Sequence, residues 1–131
     1  MRATARRENG TFKHDVEIRE HELLADEPEE NGGEDAGPSP QELLAASLAS
    51  CTAITMEMYA DRKGWDIGDV VVDVNYEPAQ RGSPTKFQME TRLPKELPEE
   101  QREKLMQIAA KCPVHRTLEG EVMFDETVEL S

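Results

Sequence analysis

The chain has 131 residues, a formal net charge of −13 at pH 7, 33% charged residues and 5% aromatic residues. A chain of this length predicts a single domain, residues 1–131, whose interior is filled mainly by Leu, Val, Ala and Met. This acidity argues against nucleic acids and anionic membrane surfaces as partners.

The N-terminal sequence and the hydropathy of the chain predict a cytoplasmic protein. The first ten residues, MRATARRENG, are basic but are not followed by an apolar core, so we expect no secretory signal. No stretch comes close to 18 apolar residues without polar interruption, so we expect no membrane span. In the cytoplasm, Cys51 and Cys112 are expected to be free, catalytic or metal-bound rather than joined in a permanent disulfide.

The N-terminal part of the chain predicts strands and then an acidic loop. Residues 1–22 predict two strands that flank the turn at Asn9-Gly10. Residues 23–37 contain Gly32-Gly33 and predict a loop. Eight carboxylates lie between Glu20 and Asp35. Acidic surfaces of this kind occur in proteins adapted to high salt, so we expect the stability to rise with KCl.

A long helix is predicted over residues 40–63. Ser39 is a suitable N-cap, Pro40 suits the first helical position, and Glu42 completes a capping box with Ser39. Lys63 and Gly64 are typical of a helix C-terminus. The 24 residues correspond to roughly 36 Å of helix.

The large apolar residues of this helix do not fit one stripe. They are Leu43, Leu44, Leu48, Ile54, Met56, Met58 and Tyr59. A helix that is apolar on most sides is expected to be buried, and a chain of this size is too small to surround it. We therefore expect a second subunit to cover the helix.

The remainder of the chain predicts a hairpin, a helix and a last strand. Residues 69–77 and 87–93 predict two paired strands joined by a turn at residues 80–85. Pro98 begins a second helix, and Pro113 breaks it or begins a short new one. The apolar stripe of this helix contains Leu105, Ile108, Ala109 and Cys112. With a final strand over residues 121–130, the order β-β-α-β-β-α-β predicts an α+β fold with an antiparallel sheet.

The two cysteines are the leading chemical candidates. A buried cysteine often serves only as a small apolar residue. Two cysteines that meet in a core instead suit a peroxide-reducing thiol and a second thiol that resolves the resulting sulfenic acid as a disulfide. In the middle of a helix Cys51 gains little from the helix dipole, so its thiolate needs a nearby cation. The candidate cations are Arg19, Arg116, Arg6, Arg7, Arg81 and Arg92, among which spacing does not choose.

A metal site is the weaker interpretation. Cys112 and His115 have a C-x-x-H spacing, and Cys51 with His14 or His21 would complete a set of four ligands. Structural zinc sites normally contain two closely spaced ligand pairs, and the chain has only one. We therefore expect neither a metal nor a cofactor.

Two segments carry a resemblance to a known family. They read LLADEPEENGGEDAGPSPQELLAASLASCTAITMEMYADRKGW and KCPVHRTL. Together they resemble the OsmC/Ohr family, which implies an OsmC-like fold and an intertwined homodimer with its sites at the subunit interface. The resemblance also implies a thiol-dependent peroxidase of organic hydroperoxides that acts in oxidative or osmotic stress. Cys51 would be the peroxidatic thiol and Cys112 the resolving thiol, and a dithiol such as a lipoylated protein would be the reductant.

The chain departs from the family pattern at the start of the helix. The well-characterised peroxidases have a glutamate directly after the helix-opening proline, where it holds the activating arginine. This chain has Gln41 there and Glu42 one position later. Glu42 is thus a candidate catalytic residue as well as a cap. The family arginine comes from the N-terminal part of the chain, where Arg19 is the candidate and no local motif fixes the choice.

The function predicted from the sequence is therefore reduction of organic or lipid hydroperoxides through Cys51 and Cys112. A non-enzymatic protein that binds an apolar ligand, or a redox sensor on the same fold, is the alternative. A metal-binding or purely structural protein is the third interpretation.

Overall fold

A computed structural model describes residues 1–130 and has a mixed α+β architecture, as predicted. The strands are β1 Thr4–Arg7, β2 His14–Ile18, β3 His21–Ala25, β4 Val71–Glu77 and β5 Lys86–Arg92. The helices are α1 Pro40–Lys63, α2 Glu99–Ala109 and α3 Pro113–Glu119, with a 3-10 turn at Glu29–Asn31. The strands form a three-stranded sheet in the order β1-β2-β3 and a separate β4-β5 pair, rather than the one sheet predicted.

Two compact units make up the chain. The first contains Met1–Ala46 and Asn75–Gln88, and the second contains Ser47–Val74 and Met89–Ser131. The three-stranded sheet belongs to the first unit, and the main apolar core belongs to the second. The assignment of residues 1–131 to one domain stays a prediction.

The N-terminal sheet has three antiparallel strands where the sequence predicted two. Val16 in β2 lies opposite Ala5 in β1 and Leu23 in β3. The missed connection is the turn between β2 and β3, in which Arg19 has a φ of 54°. An arginine in the left-handed region is uncommon. The turn also lacks the Asn-Gly or Asp-Gly pair that is typical of a hairpin, so no local signal predicted it. The predicted loop over residues 23–37 is therefore wrong for its first three residues.

The loop after β3 folds around the carboxylate of Asp26. This side chain is 1% exposed. It accepts hydrogen bonds from the backbone N–H groups of three loop residues: Glu27 at 2.7 Å, Glu34 at 3.3 Å and Ala36 at 3.1 Å. Gly33 is needed here because a Cβ atom would lie 2.0 Å from the Glu27 carbonyl oxygen. The acidic loop thus has a buried structural centre.

Helix α1 has the limits that the sequence predicted. The Ser39 N–H donates to the Glu42 carboxylate at 2.9 Å and the Glu42 N–H donates to Ser39 Oγ at 3.2 Å, which is the predicted capping box. At the other end, Gly64 has a φ of 71° and its N–H donates to the Asp61 carbonyl. The Trp65 N–H donates to the Ala60 carbonyl, which completes a Schellman motif.

The core of the second unit lies along one row of α1. Leu48, Thr52, Met56 and Ala60 are buried and follow one another at four-residue spacing. Met56 and Ala60 pack with Ile67, Leu97, Leu105 and Ala109. The expectation that α1 is buried on most sides does not hold within the single chain, since Ile54 is 52% exposed and Met58 is 56% exposed.

The second helix ends earlier than the apolar pattern predicted. Leu105 and Ala109 are buried as expected, but α2 ends at Ala109. Cys112 is therefore not part of α2. It is the N-cap of α3, in which Pro113 is the first residue, so Pro113 begins a new helix rather than merely ending the old one.

The predicted final strand is not formed. Residues 121–130 have no strand or helix in the described chain. Val122, Met123, Phe124, Val128 and Leu130 are between 54% and 95% exposed. A strand requires a neighbouring strand for its backbone hydrogen bonds, so an alternating apolar pattern alone does not produce one.

Helix α1 also passes a test of length and composition for crossing a membrane. Only 22% of its most apolar 18-residue stretch is buried within the described chain. The core helices of soluble proteins pass the same test, so this feature is weak support for a membrane span.

Candidate functional site

The two predicted redox cysteines are both free thiols in the second unit, and they differ in accessibility. Cys51 lies on α1, next to the buried row, and is half-buried. Cys112 is 0% exposed. A reagent from solution can therefore reach Cys51 more readily than Cys112.

Two polar groups of the described chain lie next to the sulfur of Cys112. The His115 N–H donates to the Cys112 sulfur at 3.3 Å, in the geometry of an N-cap. The hydroxyl oxygen of Thr52 lies 3.7 Å from the same sulfur. The structure thus brings the Cys112 sulfur against the residue that follows Cys51 in the chain.

Thr52 is a site residue that the sequence analysis missed. It is 2% exposed and is the one polar member of the buried row formed with Leu48, Met56 and Ala60. A polar residue within an apolar i, i+4 row is the signal that would have found it, since a buried hydroxyl requires a hydrogen-bond partner.

Glu42 and Arg19 both lie in the first unit, and their described contacts are with near neighbours in the chain. The Ser39 backbone N–H, with help from the Ser39 side chain, holds the pKa of Glu42 below its usual range. Arg19 is exposed in the β2–β3 turn and lies 3.4 Å from the Glu20 carboxylate. The contacts of Glu42 thus match its capping role.

Two other candidate arginines already have carboxylate partners. Arg92 lies 2.6 Å from Asp73 on the paired strand, and Arg6 lies 3.1 Å from Glu17. Both pairs are exposed and join neighbouring strands, so cross-strand pairing is enough to explain the positions of these two arginines.

The zinc arrangement considered from the sequence is not formed by the described residues. Within residues 1–130, the one convergent group of three or more potential ligands is Asp15, Glu17 and Glu22, which contains no cysteine or histidine. Instead, the ring of His115 lies against the carboxylate of Glu119 one helical turn later. The acidic group itself is on the surface, and Glu17 is already paired with Arg6.

A family model described as OsmC-like protein matches residues 32–127. This range includes both cysteines, the capped helix α1 and most of the second unit. The chain belongs to the OsmC-like protein family. No curated protein matches it significantly.

Solved structures of OsmC-like proteins have the same fold. An osmotic stress induced and detoxification response protein from Psychrobacter arcticus aligns with a TM-score of 0.74 at 22% identity, covering 88% of this chain and 85% of that one. The organic hydroperoxide resistance protein OsmC of Legionella pneumophila aligns with a TM-score of 0.65 at 23% identity, covering 90% and 88%. The organic hydroperoxide resistance protein OhrB of Bacillus subtilis aligns with a TM-score of 0.60 at 20% identity, covering 91% and 90%.

Proposed function

We propose that this OsmC-like protein reduces organic or lipid hydroperoxides with Cys51 as the peroxidatic thiol and Cys112 as the resolving thiol. The observation that carries the proposal is the placement of the buried Cys112 sulfur against Thr52, the residue next to the half-buried Cys51. The organic hydroperoxide resistance proteins with the same fold support this choice of substrate.

The first step is attack of the Cys51 thiolate on the terminal peroxide oxygen. The O–O bond breaks, the alkoxide leaves and takes up a proton to become an alcohol, and Cys51 becomes a sulfenic acid. A cation is needed to favour the thiolate in the middle of α1, and Arg19 is our candidate for this role. The Glu42 carboxylate already caps α1, so holding this arginine would be a second role in addition to the cap.

The second step joins the two sulfurs. The Cys112 sulfur attacks the Cys51 sulfur, the S–O bond breaks, and the hydroxyl leaves as water together with the proton lost by the Cys112 thiol. A dithiol, such as a lipoylated protein, then reduces the disulfide by two thiol–disulfide exchanges. A cytoplasmic location would keep the thiols reduced between turnovers.

The working form in this proposal is a homodimer. Ile54 and Met58 are more than half exposed on α1, and the apolar residues at 121–130 are also exposed. A second copy that covers these residues would form an interface of obligate size, roughly 2,000 Å² or more in total. A dimeric mass at micromolar protein by light scattering supports this arrangement, and a monomeric mass contradicts it.

The decisive experiment combines turnover with intact mass. Reduced protein is treated with cumene hydroperoxide, with dihydrolipoamide or thioredoxin supplied as the reductant. We expect the wild type to lose two hydrogens in mass and to turn over with a dithiol. Cys51→Ser should not react, and Cys112→Ser should gain oxygen at Cys51 instead of forming a disulfide.

The other outcomes identify the rival functions. Loss of both thiols without turnover on either reductant favours a redox sensor. Unchanged thiols at excess peroxide contradict the peroxidase proposal and favour a protein that binds an apolar ligand. If the wild type gains oxygen and never forms the disulfide, Cys112 is not a resolving residue.

A further inference from the structure

We infer that Thr52 is a positioning residue for the resolving cysteine: its hydroxyl holds the Cys112 thiol before resolution and stabilises the Cys112 sulfur as the proton leaves. This inference rests on the proposed peroxidase function. It gives Thr52 a role in the second chemical step, whereas attack on the peroxide by Cys51 does not require it.

The surroundings of Thr52 leave it few partners. Its side chain is 2% exposed and lies in the row between Leu48 and Met56, which are 1% and 0% exposed. A buried hydroxyl without a hydrogen-bond partner lowers the stability of the fold, so a buried threonine is expected to have a partner. Among the described residues Thr52 has two partners, the Leu48 carbonyl oxygen at 2.8 Å and the Cys112 sulfur at 3.7 Å.

The direction of these hydrogen bonds follows from the number of hydrogens. A threonine hydroxyl has one hydrogen and two acceptor lone pairs. When that hydrogen is donated to the Leu48 carbonyl, the Thr52 oxygen is left to accept the S–H of Cys112. The His115 N–H meanwhile donates to the sulfur at 3.3 Å. The Cys112 thiol is therefore held from two sides, as both donor and acceptor.

Resolution reverses the role of the Thr52 hydroxyl. As Cys112 loses its proton and attacks the Cys51 sulfenic acid, the sulfur no longer has a hydrogen to donate and becomes a stronger acceptor. The Thr52 hydroxyl can then rotate from the Leu48 carbonyl towards the sulfur. Leu48 does not lose all its hydrogen bonds, because the Thr52 backbone N–H donates to the same carbonyl within α1.

A purely structural role is the competing explanation. Threonine in a helix commonly donates to the carbonyl four residues earlier, without any chemical purpose. Thr52→Val removes the hydroxyl at nearly constant shape, whereas Thr52→Ser keeps the hydroxyl and removes a methyl group. Comparing the two separates the hydroxyl from the packing of the side chain.

The test measures the two chemical steps separately by rapid quench and intact mass, with unfolding temperatures for every variant. We expect Thr52→Val to form the Cys51 sulfenic acid at the wild-type rate but to form the disulfide about tenfold more slowly, with more over-oxidation at high peroxide. Thr52→Ser should form the disulfide within about threefold of the wild-type rate. Wild-type disulfide formation in folded Thr52→Val overturns the inference, as does equal slowing in both variants, which would indicate packing alone.

A spectroscopic measurement covers the case in which Thr52→Val does not fold. In Cys51→Ser protein the one remaining thiol is Cys112, and its S–H stretching band should be shifted to lower frequency by donation to Thr52. A band at the position of a free thiol overturns the inference. Failure of the proposed function has a different signature, since the wild type itself would then form no disulfide.

Discussion

At the scale of single residues, Asp26 lies in one of the two segments that resemble the family, and its contacts stabilise the fold of that segment. Its buried carboxylate accepts three backbone N–H groups of one loop, so the run that contains ADEP and GGEDAGP is a folding motif. The Ala36 N–H is the largest cause that lowers the pKa of Asp26 below its ordinary value of 3.8, with further help from the N–H groups of Glu27 and Glu34.

We predict that Asp26→Asn destabilises the protein at neutral pH, because an amide NH₂ would face backbone donors. The pKa of Asp26 is lowered by folding, so its stabilising contribution is present above pH 3.8 and is lost as the pH falls through the folded value. Urea unfolding at pH 7, 5 and 3 should therefore show a difference between wild type and variant that shrinks at pH 3. Exposed Asp35→Asn is the control, and a difference that stays constant with pH would contradict this account.

Glu42 gives a second prediction at this scale. Glu42→Ala and Ser39→Ala each break the same capping box, so both should lower the unfolding temperature, while the reaction of Cys51 with peroxide keeps its rate. Stopped-flow thiol oxidation and thermal unfolding measure the two effects. If Glu42→Ala slows the oxidation of Cys51 and Ser39→Ala does not, the Glu42 carboxylate has a catalytic role beyond the cap.

At the scale of elements, the C-terminal segment is the part whose structure depends most on a partner. Residues 121–130 have the alternation of a strand but no strand partner in the described chain. Val122, Phe124 and Val128 would point to one face of such a strand, and Met123 to the other.

We predict that the segment becomes a strand only when a second copy covers it. Phe124→Ser should then weaken the dimer, while Met123→Ser, on the opposite face and 95% exposed, should weaken it much less. Sedimentation equilibrium of the two variants measures the dissociation constants. Equal constants for both variants would contradict a strand with one buried face.

At the scale of the whole molecule, the net charge of −13 is the dominant electrostatic property. Repulsion among carboxylates on a compact protein opposes folding, and added salt screens it. We predict that the unfolding temperature rises as KCl increases from low to molar concentration at pH 7. Near the pI of about 4.6 the same salt should have a much smaller effect, and a similar rise at both pH values would point to a cause other than charge.

Helix α1 was the element that the sequence predicted most fully. The Ser39–Glu42 box and Lys63-Gly64 set its limits at residues 40 and 63, because helical hydrogen bonds and caps join residues only a few positions apart. The order of the later hairpin and helices also followed from local patterns. Cys112 is buried as predicted, although it caps α3 rather than ending the apolar stripe of α2. The resemblance to the OsmC/Ohr family was confirmed by the match over residues 32–127.

Tertiary structure decided the features that join distant residues. The Thr52–Cys112 contact spans 60 positions, and no spacing rule identifies such a pair. The turn at Arg19 depends on how β2 pairs with β3. The predicted strand at residues 121–130 has no neighbouring strand within residues 1–130. Helix limits depend on bonds within one segment, whereas strand pairing and the surroundings of a buried sulfur depend on which segments the folded chain brings together.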